Sequence, residues 1–145
     1  MNGRQDLRGH AAIVTGAGKG LGRAYALHLA RLGAKVLVNN RRHPGQADGD
    51  TSAQQTVDAI EAAGGMAIAN WCDVTDPDSG TAMVEQARSS FGRLDIVIAN
   101  AGIDKAGVFA KQSMADFRAI FDTGFLGNLH LVHAAWPVLI GQKYG

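Results

Sequence analysis

Short runs of apolar residues alternate along the chain with longer segments in which apolar residues recur every three or four positions. The first run, Ala11–Val14, is continuously apolar, which is typical of a strand buried on both faces. Similar runs at residues 36–38, 66–71 and 94–99 predict three further strands. Each strand is followed by a segment with helical spacing, so the pattern predicts alternation of strands and helices.

The helical segments present their apolar residues on one face. These residues are Gly22, Ala26, Leu29 and Ala30 in the first helix, Ala53, Val57 and Ile60 in the second, Val84, Ala87 and Phe91 in the third, and Phe125, Leu129, Val132, Trp136 and Leu139 in the last. Four strands that alternate with four helices predict an α/β fold, a Rossmann-like doubly wound parallel sheet with right-handed crossovers. Residues 1–145 are expected to form a single domain.

Two boundaries between elements are marked by their composition. Asp76 followed by Pro77 predicts the start of the third helix, with an N-cap and then proline at the first helical position. The segment Arg41–Asp50 is polar and contains proline and glycine, which predicts a long loop after the second strand.

A glycine-dense turn follows the first strand directly. Residues 15–22 read T-G-x-x-x-G-x-G, and a helical pattern begins at Leu21. Such a turn directs the N–H groups and the positive end of a helix at a phosphate, while glycines permit sharp turning and close backbone approach. The candidate phosphate-binding residues are Gly16, Gly18, Lys19, Gly20, Leu21 and Gly22.

Together with two later motifs, this turn resembles the short-chain dehydrogenase/reductase family. Asp73-Val74 follows the third strand and Asn100-Ala101-Gly102 follows the fourth, and the resemblance extends from Leu7 to Pro137. It implies binding of a nicotinamide dinucleotide, with Asp73 accepting from the adenine amino group and the Val74 backbone assisting. Asn100, Ala101 and Gly102 would stabilise the sheet and line the cofactor cleft. The local alternative is that these residues only form turns at strand ends.

The end of the second strand favours NADP(H) as the cofactor. Family members that use NAD(H) usually carry an acidic residue there, which accepts from the ribose hydroxyls. Here Asn39 and Asn40 are followed by Arg41 and Arg42, and an arginine pairs with a 2′-phosphate in a forked geometry. Lys19 resembles a second basic position of NADP-preferring members. NAD remains the alternative cofactor, and a merely solubilising role remains the alternative for the arginines.

The catalytic groups that the resemblance implies are missing, so no catalytic residue is assigned. The family uses a serine and a Tyr-x-x-x-Lys pair, whereas Tyr25 has a leucine four residues later and Tyr144 is followed by one glycine. The relay asparagine of the family corresponds to Gly124, and Asn128 lies one helical turn too late. We expect the chain to be the dinucleotide-binding half of an oxidoreductase, inactive alone, and to take a small-molecule substrate only with the other half.

A fold that stops after the fourth strand and its helix would leave residues 94–99 at the edge of the sheet. An apolar edge with unpaired backbone groups recruits another strand, and the apolar face of the last helix would lose its neighbours. We therefore expect a homo-oligomer, formed through the fourth strand. A non-catalytic dinucleotide-binding or self-assembling module is the alternative function.

Charge and composition exclude several other classes of protein. A net charge of +1 gives no reason to expect nucleic-acid binding, and no apolar run is long enough to span a membrane. Residues 1–6 are polar, unlike a signal peptide, and Cys72 is the single cysteine, so a cytoplasmic location is expected. His130 and His133 share a helix face, but no third ligand has suitable spacing, so no metal site is predicted.

Overall fold

A four-stranded parallel sheet with helices on both faces forms the computed structural model, which describes residues 6–47, 49 and 51–145. The strands are β1 (Ala11–Val14), β2 (Lys35–Asn39), β3 (Met66–Asn70) and β4 (Ile96–Ile98). The helices are α1 (Gly20–Arg31), α2 (Ser52–Ala62), α3 (Ser79–Phe91), α4 (Met114–Phe121) and α5 (Gly127–Gln142), with a 3₁₀ turn at Phe109–Lys111 and a π-helical segment at Asp122–Leu126. The predicted α/β, Rossmann-like class is confirmed.

The sheet has the strand order β3-β2-β1-β4, and all three neighbouring pairs are parallel. Ala12 is in register with Val36 on one side and with Ile96 on the other, so β1 lies between β2 and β4. Among the described residues β4 pairs only with β1, which leaves it at an edge of the sheet. The carboxyl ends of the strands meet at one edge, where ligands bind in open α/β sheets.

Alternating side chains along each strand supply two separate cores. Ile13 and Leu37 point to one face, where they pack with Met83 of α3 and Leu131 of α5. Val14 and its neighbours point to the other face, where α1 and α2 cover them. Both faces of the sheet are therefore buried, which explains why the strands are continuously apolar.

Residues 114–142 form one almost continuous helix with a wide turn in its middle. Ser113 and Asp116 form a capping box that begins α4. After Phe121 the backbone widens, and the N–H of Gly127 donates to the carbonyl of Asp122, five residues earlier. Helical spacing alone does not predict this π-helical segment. Such segments are frequent at functional sites.

Several of the predicted boundaries were wrong by one or two residues. The third helix begins at Ser79 rather than at Pro77, because the Asp76 carboxylate accepts from the N–H of Asp78 and forms a turn before the helix. The first helix begins at Gly20, one residue before Leu21, and β3 and β4 are shorter than predicted. In the predicted loop after β2, Asp48 and Asp50 lie outside the described residues.

The predicted apolar face of the last helix is largely exposed. Its large exposed residues, continued into α4, are Phe121, Phe125, Leu129, Val132, Trp136 and Ile140. Leu139, which was predicted on the same face, is half-buried and packs against the core. The side of α5 that faces α3 instead carries Gly127, Leu131 and Ala135, which are buried. The exposed large apolar residues of α5 thus point away from the sheet, whereas Leu131 packs against it.

Removing a buried leucine from α5 should destabilise the fold much more than removing an exposed one. Leu131 is 0% exposed and Leu129 is 48% exposed, although both lie on α5. We expect Leu131→Ala to lower the free energy of unfolding by about 2–5 kcal/mol, and Leu129→Ala to lower it by less than about 1 kcal/mol. Urea unfolding of both variants measures the difference, and equal losses would contradict the packing described for α5.

Candidate functional site

A cleft of about 350 Å³ opens at the carboxyl edge of the sheet. Its walls come from the segments that follow all four strands and from the junction of α4 with the π-helical segment. The lining residues are Gly16, Asn39, Asn40, Arg41, Cys72, Asp73, Val74, Thr75, Ala101, Gly102, Ile103, Ala119, Asp122 and Thr123. This position and this size are typical of small-molecule and cofactor sites in parallel α/β folds.

Three glycines of the turn are required by its geometry. Gly16 has a φ of +62°, a conformation that glycine adopts readily. A Cβ on Gly18 would overlap the side chain of Ser52, and a Cβ on Gly22 would overlap the carbonyl group of Gly16 and the side-chain amide of Asn100. The start of α1 is consequently packed directly on the turn that precedes it, and Gly16 of this turn lines the cleft.

Thr15 and Asn100 join the glycine turn to the end of β4. The Thr15 hydroxyl oxygen accepts from the backbone N–H groups of Asn100 and Ala101, each at 3.0 Å. In return the Asn100 side-chain amide donates to the carbonyl of Thr15 at 2.9 Å. Thr15 is 1% exposed, so these hydrogen bonds satisfy groups that water does not reach.

The N-terminus of α1 offers donors to an anion. Lys19 is the N-cap residue, its side chain makes no capping hydrogen bond, and the first turn contains no acidic residue. The first N–H groups of a helix have no partner within the helix, and the helix dipole places positive potential there. This helix end can therefore bind a phosphate group.

An acidic and a basic side chain face each other in the wall of the cleft. Asp73 Oδ1 accepts from the N–H and the hydroxyl of Thr75 at 2.9 and 2.8 Å, while Asp73 Oδ2 lies 3.6 Å from Arg41 Nη1. Burial raises the pKa of Asp73, but the hydrogen bonds from Thr75 and the charge of Arg41 outweigh it and hold the pKa below its usual value. Asp73 is therefore an ionised acceptor at neutral pH, and Oδ2 is the oxygen that does not accept from Thr75.

The model of the short chain dehydrogenase family matches residues 10–145. The chain belongs to this family. A crystal structure of a short-chain dehydrogenase from Mycobacterium avium superposes with a TM-score of 0.88 at 36% identity, covering 94% of this chain and 48% of that one. The architecture is thus that of a short-chain dehydrogenase.

Curated relatives align over the whole chain but are longer. A short-chain type dehydrogenase/reductase of Mycobacterium tuberculosis is 39% identical over 100% of this chain and 50% of its own length. The peroxisomal hydratase-dehydrogenase-epimerase of Saccharomyces cerevisiae is 39% identical over 100% of this chain and 16% of its own length. The chain therefore spans half or less of these two relatives.

The structure brings seven of the thirteen predicted site residues into the cleft wall of this short-chain dehydrogenase chain. These are Gly16, Asn40, Arg41, Asp73, Val74, Ala101 and Gly102. The other six are in the glycine turn or beneath it, namely Gly18, Lys19, Gly20, Leu21, Gly22 and Asn100. Of these, Asn100 supports the turn through Thr15 rather than lining the cleft.

Sequence reasoning missed several residues that shape the cleft. Asn39 is 1% exposed and donates to the side chain of Asn70 at 2.7 Å and to the carbonyl of Cys72 at 3.0 Å, which ties the ends of β2 and β3 together. Asp122 and Thr123 enter the wall because of the π-helical segment. The amide pair Asn39 and Asn70 at two strand ends was a usable signal, whereas nothing in the sequence marked the wide turn.

Arg42 does not share the surroundings of Arg41. Its guanidinium lies over the ring of Trp71, 4.8 Å from the ring centroid, in a cation–π contact. The Trp71 ring nitrogen donates to the hydroxyl of Thr51, the N-cap residue of α2. Of the two arginines, only Arg41 lines the cleft.

Gly124 and the two tyrosines take no part in a catalytic arrangement among the described residues. A Cβ on Gly124 would meet open space, and the Asn128 side chain donates to the Gly124 carbonyl at 2.7 Å. Neither Tyr25 nor Tyr144 lines the cleft, and Tyr144 contacts the ring of His10 instead. Within the described part of the chain, the cleft thus holds binding groups and no acid/base pair of the family.

Over residues 6–47, 49 and 51–145, no three His, Cys, Asp or Glu side chains are grouped so that they could hold a metal ion. None of the helices in these residues is both long enough and apolar enough to cross a membrane.

The glycine turn gives a sharp test of the described geometry. Gly22→Ala places a methyl group on the Gly16 carbonyl, so we expect a loss of more than about 2 kcal/mol in the free energy of unfolding. Gly102→Ala is the matched control, because a Cβ there meets nothing within 4 Å. Urea unfolding should leave the control within about 0.5 kcal/mol of the parent protein. A tolerated Gly22→Ala would contradict the packing of α1 on the turn.

Proposed function

We propose that this chain is the dinucleotide-binding part of a short-chain oxidoreductase that transfers hydride between NADP(H) and a carbonyl or alcohol substrate. One observation carries the proposal: the cleft holds the Asp73–Arg41 pair and is lined by Gly16 of the glycine turn, which leads into the N-terminus of α1. Family membership supports it. We further propose that residues 1–145 form a single NAD(P)-binding domain.

The cleft residues divide the dinucleotide between them in this proposal. The backbone of Gly18–Gly22 and the start of α1 hold the pyrophosphate, since the glycines of this turn have no side chains that would keep it away. Asp73 Oδ2 accepts from the adenine amino group, and the Val74 backbone assists. Ala101 and Gly102 form the wall towards the nicotinamide. The bound dinucleotide supplies the hydride chemistry, and these residues only bind and orient it.

Selectivity for NADP(H) rests on Arg41, with Lys19 as a second cation. Asn40 occupies the position where a carboxylate would repel a 2′-phosphate, and its side chain is held by Ser52 at 2.9 Å. Arg41 is mobile enough to serve, because its side chain is 58% exposed and its contact with Asp73 is long. NAD(H) is the alternative cofactor. It has no 2′-phosphate, so Arg41 would stay paired with Asp73 when NAD(H) binds.

The second candidate function is a non-catalytic dinucleotide-binding or self-assembling module. It is favoured by Gly124, which stands where the family places its relay asparagine. In both proposals the chain alone binds the dinucleotide and turns over no substrate. A small-molecule substrate is bound only when the other half is supplied. An open reading frame that continues after Gly145 with serine and Tyr-x-x-x-Lys supports the enzyme, whereas a stop codon supports the module.

We also propose that the chain forms a homo-oligomer and acts in the cytoplasm. The edge of β4 and the exposed apolar residues of α5 support self-association. The single cysteine favours a reducing compartment. Some curated relatives are named as peroxisomal enzymes, so fluorescence microscopy of the tagged protein separates the two locations.

Dinucleotide binding should be saturable and should prefer the phosphorylated cofactor. We expect NADPH to bind about tenfold or more tightly than NADH, because Arg41 pairs with the 2′-phosphate in a charge-assisted hydrogen bond. Arg41→Ala should abolish the preference and leave NADH binding unchanged. Titration followed by NAD(P)H fluorescence measures all four affinities.

Arg31→Ala is the control for net charge, since Arg31 is exposed at the far end of α1. It should bind both dinucleotides like the parent chain. Equal affinity of the parent chain for NADPH and NADH would refute the cofactor choice. No binding of either would refute the function itself.

Light scattering at micromolar concentration should give a mass at least twice the 15.2 kDa of one chain. Trp136→Glu should leave this mass unchanged if the copies pair through β4, because Trp136 lies on the outer side of α5. A monomeric Trp136→Glu variant would show that the copies associate through α5 instead. A clean monomer of the parent chain would contradict self-association.

A further inference from the structure

The carbonyl oxygen of Val74 accepts hydrogen bonds from two different helices. His130 of α5 places Nδ1 at 3.2 Å from this oxygen, across 56 residues of sequence, and Ser79 at the start of α3 places its hydroxyl at 3.4 Å. Val74 is 6% exposed and lines the cleft next to Asp73. The turn after β3 is therefore fixed by α5 as well as by its own helix.

Two glycines bring α5 close enough for this contact. A Cβ on Gly127 would lie 2.8 Å from a methyl group of Val74, which is too near for any side chain. A Cβ on Gly80 of α3 would overlap the backbone carbonyl of His130. Since neither position tolerates a side chain, the helices and the turn form one closely packed unit around the imidazole.

The chemistry of the contact defines the state of the histidine. A carbonyl oxygen can only accept a hydrogen bond, so Nδ1 of His130 carries a proton. The neutral ring with Nδ1–H and the charged ring both donate in this way, so the contact does not require a charge on His130. Its role is geometric rather than electrostatic.

We propose that His130 is a positioning residue for cofactor binding. By holding the Val74 carbonyl, it keeps the Asp73–Val74 turn in the shape that receives the adenine ring. This inference rests on the proposed function, which assigns adenine to Asp73 and Val74. His130 itself does not line the cleft and acts through the Val74 backbone.

Removal of this hydrogen bond should lower the affinity for every adenine nucleotide by the same factor. A neutral hydrogen bond that orders a turn corresponds to a loss of roughly three- to tenfold in affinity. The loss should be equal for NADPH, NADH and adenosine 5′-monophosphate, because the last has adenine but neither the nicotinamide nor the 2′-phosphate. Arg41→Ala, by contrast, should change NADPH binding alone.

The experiment compares three substitutions of His130 with one of His133. His130→Leu removes the donor, His130→Asn places an amide nitrogen near the position of Nδ1, and His130→Gln places it near Nε2. His133→Leu is the matched control, because His133 is exposed on the same helix one turn later. Dissociation constants for the three nucleotides are measured by fluorescence titration and calorimetry on the full chain.

We expect weaker binding in His130→Leu, recovery in His130→Asn but not in His130→Gln, and parent-like binding in His133→Leu. Recovery by asparagine would not follow from lost packing, since asparagine fills less of the site than leucine. Parent-like affinity in His130→Leu, or equal weakening in His130→Leu and His130→Asn, would overturn the positioning role while leaving the proposed function intact. Failure of the parent chain to bind any nucleotide would overturn both.

Discussion

The cleft depends on the exchange of hydrogen bonds between Thr15 and Asn100. The hydroxyl oxygen of Thr15 accepts from two N–H groups at the end of β4, and the side-chain amide of Asn100 donates to the carbonyl at the end of β1. Leaving such buried groups unpaired costs about 1–3 kcal/mol each, so neither residue can be replaced by an apolar one without loss. The same amide stands against Gly22, which sets how closely α1 approaches the turn. One pair thus positions the sheet edge, the turn and the helix end.

The short strand β4 is fixed at its other end in a comparable way. Asp95 is 2% exposed, and its carboxylate accepts from the backbone N–H of Ala11 at 2.9 Å and from the guanidinium of Arg93. Burial raises the pKa of Asp95, but these hydrogen bonds outweigh it and keep the carboxyl group ionised at neutral pH. Side chains at both ends therefore fasten β4 to β1. A strand of three residues consequently keeps its register although, among the described residues, it pairs on one side alone.

The sequence predicted what depends on local pattern and missed what depends on packing between distant segments. Buried strands and the glycine turn have their own composition, so Ala11–Val14 and the position of the cleft were foreseeable. The start of α3 was misjudged because Asp76 caps a turn as readily as a helix, and the spacing that distinguishes them is set by the fold. The contact of His130 with Val74 joins residues 56 positions apart, so the spacing of apolar residues along the chain does not predict it. The local sequence around Arg41 does not predict its ion pair with Asp73 either, since Asp73 follows a different strand.

The composition of α5 is that of a helix with neighbours on more than one side. Towards α3 it carries Gly127, Leu131 and Ala135, which allow close approach, and the opposite side carries Leu129 and Trp136. A helix at the surface of a finished domain normally presents polar residues to water, whereas one that is apolar all round is buried. The described residues bury only the first of these two sides. Apolar residues on the uncovered side, Trp136 at 59% exposure above all, thus give α5 the composition of a helix with a second packing surface.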